Sequence, residues 1–210
     1  MEDFSLIILC RGHRHLLPLT LDTLKPQQGS FEVLLLDGEG SGKLAEHLSR
    51  YPELKLRVQD ASGRNLPQMM NEGVASARGK YVQFLEPGDR YISQHGLSFL
   101  GTLIKTEPPL IYTSSLDKDG VVLSDLMTAH SPCLLRSKVL ELGGFDTKLS
   151  SSPTLDLLCR LQPTQTTFCR RVLIDSPKTS PVPLWETCKI LYRHFGLWRA
   201  LKWFVSNICI

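Results

Sequence analysis

The first half of the chain alternates short apolar runs with amphipathic helical segments, and this alternation restricts the fold more than any other feature. Residues 4–10 (F-S-L-I-I-L-C) and 31–37 (F-E-V-L-L-L-D) are apolar runs of strand length. Residues 54–59 alternate like a half-exposed strand, and 81–86 (Y-V-Q-F-L-E) form a fourth run. Between them, Leu16, Leu17, Leu21 and Leu24 share one helical face, Leu44, Leu48 and Tyr51 share another, and Met70, Val74 and Ala77 recur at i, i+4 and i+7. Pro67 in the first turn and Gly79 just past the end bracket this third helix. A β-α-β-α-β-α-β order predicts an α/β fold, with a mostly parallel, Rossmann-like sheet flanked by helices on both faces.

In such sheets, ligands bind outside the carboxyl ends of the strands. Asp37 closes the second strand and is followed by G-E-G-S-G-K, while Glu86 and Asp89 close the fourth in L-E-P-G-D. A Pro-Gly turn with a hydrogen-bonding Asp accounts for L-E-P-G-D alone. Two acidic strand ends on one crevice point instead to a ligand. The glycine-rich loop is not a phosphate loop, because Leu44 follows Lys43 where Ser or Thr is needed and the preceding acid repels phosphate. An acid at a strand end can accept hydrogen bonds from a base or ribose, and a divalent cation near a second acid can neutralise a diphosphate.

The second half is less regular. A hairpin is expected from Pro109 to Leu123, and a strand-to-helix unit runs from Cys133 to Gly143-Gly144. A short helix covers T-L-D-L-L-C-R-L, and a Pro- and Ser-rich connector spans 176–183. The expected organisation is a domain over 1–175, the connector, and an amphipathic helical tail over 184–210. In the tail, Leu184, Cys188, Leu191 and Phe195 share a face, and Lys189, Arg193, Arg199 and Lys202 oppose one acid, Glu186. Tryptophans among cations suit a membrane interface, and a helix packed on the core or on a partner subunit fits equally.

A formal charge of +3 gives no field suited to nucleic acid. The six cysteines form no C-x-x-C pair and sit mostly in apolar runs, as free thiols do in a reducing compartment. Residues 1–10 lack the basic start of a signal peptide, and no apolar stretch is long enough to span a bilayer. The expectation is a cytoplasmic protein, with the tail offering a peripheral contact to the cytoplasmic face of a membrane.

Taken in order, S-L-I-I-L-C, F-E-V-L-L-L-D-G, N-L-P-Q-M-M-N-E-G-V-A-S-A-R-G-K-Y-V-Q-F-L-E-P-G-D and H-S-P-C-L-L-R-S-K-V-L-E-L-G-G-F-D resemble glycosyltransferase family 2 over residues 4–161. That resemblance implies a GT-A fold, a sugar-nucleotide donor, a divalent cation (Mn or Mg), and inverting transfer to a hydroxyl of a glycan or lipid-linked acceptor. It implies that Asp37 meets the nucleotide base and that Arg11 and Arg64 lie near nucleotide-contacting positions. Glu86 matches the first acid of the D-x-D motif, whose second acid falls on Gly88, leaving Asp89 beside Glu86 as the expected metal ligand.

His130-Ser131 is similar to an H-Q pair that precedes G-G-F-D in this family. Two positions depart from the pattern. Gly38 stands where a second Asp is usual, and Pro153-Thr154 stand where the family carries an acid pair whose Asp is the general base. Threonine cannot take a proton at neutral pH, so the base is absent or supplied by Asp156, Asp146 or His130. Structural roles compete with these: Asp156 can pair Arg160 at i+4, Asp146 can cap its turn, and His130 can be a hydrogen-bonding histidine. A nucleotide- or partner-binding pseudoenzyme and a membrane-associated scaffold remain as alternatives to a transferase.

Overall fold

A computed structural model describes residues 2–40, 42, 44, 49–116, 122–123, 131–150, 152–161, 166–176 and 184–196. Among the described residues nine strands form one mixed sheet: β1 (Phe4–Cys10), β2 (Phe31–Asp37), β3 (Leu56–Asp60), β4 (Tyr81–Leu85), β5 (Arg90–Tyr91), β6 (Leu110–Leu116), β7 (Val122–Leu123), β8 (Cys133–Leu135) and β9 (Thr167–Asp175). Their order is β3-β2-β1-β4-β8-β6-β9-β5, with β7 paired to β6. β1 pairs in parallel with β2 and β4, and β2 with β3, as the alternating pattern predicts. The sheet then turns mixed, since β8 runs antiparallel to β4 and to β6.

The helices are α1 (Leu17–Leu24), α2 (Leu66–Ser76), α3 (Gly96–Leu103), α4 (Arg136–Glu141), α5 (Pro153–Arg160) and α6 (Leu184–Phe195). The expected helix around Leu44–Tyr51 falls mostly outside the described residues, as do the tip of the 109–123 hairpin, the connector after Ser176 and the tail beyond Gly196. β9 and α3 are elements that the sequence pattern does not announce. In T-F-C-R-R-V-L-I-D two adjacent arginines interrupt the apolar pattern, and the strand's register with β6 shifts between Cys169 and Ile174, opposite Thr113–Ser115.

Successive residues of a strand face opposite sides of the sheet, so the sheet divides the interior into two cores. Phe4, Leu6 and Ile8 of β1 and Val33 and Leu35 of β2 pack with Leu17, Leu21 and Leu24 of α1 and Leu97 and Leu100 of α3. Ile7 and Leu9 of β1 and Leu34 and Leu36 of β2 pack with Met69, Met70 and Val74 of α2 and Leu157 and Leu158 of α5. The approach of β1 to the turn entering β4 is very close. A Cβ on Gly79 would lie 2.4 Å from the backbone nitrogen of Ser5. A buried carboxylate ties the same region together: Glu32 accepts from the Ser5 hydroxyl and from the Arg78 N–H at 2.6 Å each, and from Arg57 Nε at 3.0 Å.

Candidate functional site

Parallel pairing of β1, β2, β3 and β4 brings four strand ends to one edge, the one where an α/β sheet holds its ligand. Asp37, at the end of β2, is 2% exposed. Its Oδ1 accepts from the N–H groups of Glu39 and Gly40 at 3.1 Å each and from Arg14 Nη2. Glu39 completes the stitch, accepting from Gly12 N–H at 2.7 Å and lying 3.1 Å from Arg14 Nε. The loops after β1 and β2 are therefore one charged unit. Arg14 is not among the site residues that the sequence singles out; its signal is the basic R-G-H-R-H stretch at 11–15.

Arg11 is exposed on the same loop. A Cβ on Gly38 would lie 3.1 Å from Arg11 Cγ and 3.2 Å from Met69 Cε, so the arginine stem and α2 occupy the space a second Asp would need. Cys10, beneath this loop, is no nucleophile: burial first, then the Asp37 charge, pushes its thiol up to about 12. Arg64 follows β3 and pairs with Glu72 at 2.5 Å, which raises the guanidinium's pKa further. Its neighbour Asn65 caps α2 in a reciprocal box with Gln68 and donates to the Thr147 carbonyl at 3.0 Å.

At the end of β4 the two acids part. Glu86 is exposed, whereas Asp89 is 2% exposed. Asp89 Oδ2 accepts from the Glu86 N–H at 2.7 Å, and Oδ1 accepts from the Ser176 hydroxyl. Gly88 takes φ +109°, which suits glycine, and donates its N–H to Thr20 Oγ1 at 2.8 Å. Asp89 is thus turned inward as the lock of the L-E-P-G-D turn, not paired with Glu86 as an open ligand. Among the described residues no three His, Cys, Asp or Glu gather around a point where a metal could sit. The tip still fits a cation of the magnesium type, which is held by one or two carboxylates with substrate phosphates and water; Glu86 is the carboxylate facing outward.

The candidates for the base lie across α2. Asn71 clamps the G-G-F-D turn, donating to the Phe145 carbonyl at 2.9 Å and accepting its N–H at 2.7 Å, and Phe145 meets Phe84 of β4 edge-on at 5.4 Å. Beside this turn, a cavity of about 260 Å³ is lined by Asp146, Asp156, Arg160, Arg193 and His194 among others. Asp156 is 1% exposed. Arg160 Nε donates to its Oδ2 at 2.9 Å, and His194 Nε2 lies 2.8 Å from its Oδ1. Arg160 also donates to the carbonyls of Leu142 and Gly144 at 2.8 and 2.6 Å.

Asp146 accepts from the Lys148 N–H at 3.0 Å and from Arg193 at 2.8 Å, and these two bonds hold its carboxyl below its ordinary range. Asp156 and Asp146 are therefore anchors for α6 and for the G-G-F-D turn. Thr154 sits two residues before Asp156, and at about 100° per residue the two side chains point to nearly opposite sides of α5. The pairing of Asp156 with Arg160 is the i+4 contact expected from helical spacing; His194 and Arg193, on a helix 38 and 47 residues further on from their partners, are not legible in the sequence. His130 lies outside the described residues. Its neighbour Ser131 takes φ 51° and accepts from Gln83 Nε2 at 2.7 Å.

Known structures share this fold. S. aureus TarS, solved with UDP-GlcNAc, superposes with a TM-score of 0.76 over 92% of this chain, at 14% identity. The Pyrobaculum calidifontis mannosyltransferase PcManGT, solved with GDP-Man and Mn²⁺, superposes with a TM-score of 0.73 over 96%, at 13% identity. The fold is GT-A. The chain spans 65% of the TarS fragment and 64% of PcManGT. No protein-family model matches the sequence, and no curated protein matches it.

Proposed function

We propose that this chain binds a sugar nucleotide at the carboxyl edge of β1, β2 and β4 and transfers the sugar to an acceptor hydroxyl of a glycan or lipid-linked substrate. The observation that carries the reading is the gathering of Asp37 and Glu86 on one edge of a GT-A sheet, either side of β1. In this reading Asp37 and Arg14 face the base and ribose, with Arg11 and Arg64 nearby. Glu86 holds the divalent cation, and the locked turn at Asp89 fixes where Glu86 stands. When bound, that cation neutralises charge on the diphosphate leaving group. The protein's own contribution is to orient the donor and to exclude competing poses. The neighbours' ligands, UDP-GlcNAc and GDP-Man with Mn²⁺, support a donor of this class.

A second reading is favoured by α5. With Thr154 at the position of the family's base and Asp156 bonded to Arg160 and His194, the described residues supply no open carboxylate there, as in a nucleotide-binding pseudoenzyme. Calorimetric titration with a panel of uridine and guanosine diphosphate sugars, with and without Mn²⁺, tests the shared part. Saturable binding to at least one donor is expected, and heats no greater than dilution across the panel would refute both readings. Release of free nucleotide diphosphate during incubation then separates a transferase from a pseudoenzyme.

A further inference from the structure

α6 is amphipathic in a direction that the core does not use. Glu186, Thr187, Ile190 and Leu191 are buried against the body of the domain. His194 joins them through Asp156, and Glu186 accepts from the Ser150 N–H at 2.8 Å. Opposite this seam, Trp185 is 63% exposed, Tyr192 58% and Phe195 41%. At about 100° per residue, Phe195, Tyr192, Trp185 and Lys189 fall within an arc of about 120°. The other large hydrophobic side chains exposed among the described residues are the aliphatic Leu19, Ile92 and Leu140, so every large exposed aromatic of this set sits on one helix.

We propose that this outward face of α6 lies on an anionic lipid surface. Charge selects that occupant. The helix's one acid, Glu186, is turned inward, and from residue 187 to 210 the sequence has Lys189, Arg193, Arg199 and Lys202 and no acid. The same stretch adds Trp198, Trp203 and Phe204 to the aromatics of α6. Indole and phenol rings settle at the headgroup level, where apolar body and polar edge are both satisfied, and each nearby cation adds attraction to anionic lipid. A two-fold contact between copies of this face would instead set Lys189, near the middle of the helix, against Lys189 of the other copy. No helix among the described residues is long and apolar enough to cross a membrane, so the contact is an in-plane one. This inference stands apart from the proposed transfer reaction.

The test uses the full chain with Trp198→Phe and Trp203→Phe, leaving Trp185 as the one tryptophan of the original three. Vesicles of phosphatidylcholine alone and of phosphatidylcholine mixed with phosphatidylglycerol are titrated in. With phosphatidylglycerol present, Trp185 emission shifts to the blue and the protein floats with the vesicles. Lys189→Glu weakens partitioning by about tenfold. The triple change Trp185→Ala, Tyr192→Ala and Phe195→Ala in the parent sequence abolishes flotation, and its melting curve is recorded beside the parent's, since Phe195 also packs on the His194 ring at 6.3 Å. Trp185 emission unmoved by anionic vesicles overturns the proposal. So does undiminished flotation of the triple variant, or a lipid-free dimer, seen by light scattering, that the triple variant dissolves.

Discussion

Replacing Asp156 by Ala tests whether this carboxylate serves structure or chemistry. The substitution removes a buried acceptor and leaves Arg160 Nε and His194 Nε2 facing an empty site, with side chains 24% and 17% exposed. Breaking a fully buried pair costs about 3 to 5 kcal/mol; water reaching the two partners and the carbonyls still bonded to Arg160 lower this to about 3 kcal/mol. For a chain of this size each kcal/mol moves the midpoint by about 2 to 4 °C, so Asp156→Ala should melt roughly 6 to 12 °C below the parent. Circular dichroism melts of Asp156→Ala, His194→Ala and the double variant measure it. The double variant should lose less than the sum of the two single losses, because the second change removes a partner already stranded. Asp156→Asn, which keeps the size and one acceptor, should recover part of the loss. A parental midpoint in Asp156→Asn combined with lost sugar transfer would refute the anchoring role and make Asp156 the relocated base.

Thr154→Asp restores a carboxylate to the α5 position where the resembling family has its base; general-base help is worth about 10² to 10⁴ in rate, so donor turnover should rise, and an unchanged rate would remove α5 from the chemistry. Asp37→Asn keeps the acceptor for Glu39 and Gly40 but loses the charge facing Arg14, and should weaken donor binding by about 1 to 3 kcal/mol in calorimetry without unfolding the chain. Equal affinity would move the base elsewhere. Burial pushes the Glu32 carboxyl up, but the Ser5 hydroxyl, the Arg78 N–H and Arg57 together hold it below its ordinary 4.5. Its stabilisation is therefore fully present above pH 4.5 and lost as pH falls through the lower folded value. The gap in melting temperature between parent and Glu32→Gln should be largest near neutrality and close in acid; a gap independent of pH would show that the charge contributes nothing.

The Rossmann-like half was legible because its information is local. The runs at Phe4–Cys10 and Phe31–Asp37 are long enough to be buried strands, and Pro67 and Gly79 frame α2 from within a few residues. From there the parallel order placed Asp37 and the β4 tip on one edge. What failed to show was the state of each acid. Glu86 and Asp89 look equivalent in L-E-P-G-D, and their opposite exposure depends on Ser176 and Thr20, distant in sequence. Arg160 beside Asp156 follows from helical spacing, whereas His194 reaches it through tertiary packing of α6. β9 was hidden because its basic residues interrupt the apolar alternation.

The bond between Asp89 and Ser176 spans 87 residues and ties the tip of β4 to the residue that follows β9. β1 pairs with β2, and β2 with β3, at separations of about 20 to 30 residues, whereas β1 meets β4 across nearly as long a span as the Asp89–Ser176 bond. The L-E-P-G-D turn closes on its own bonds between Asp89 and Glu86, and its carboxylate gains the Ser176 hydroxyl only once β9 has paired with β5 and β6. A chain cut before residue 176 would keep the parallel strands and lose the Ser176 hydroxyl that Asp89 accepts from, so the tip of β4 takes its final set of bonds only with β9 in place.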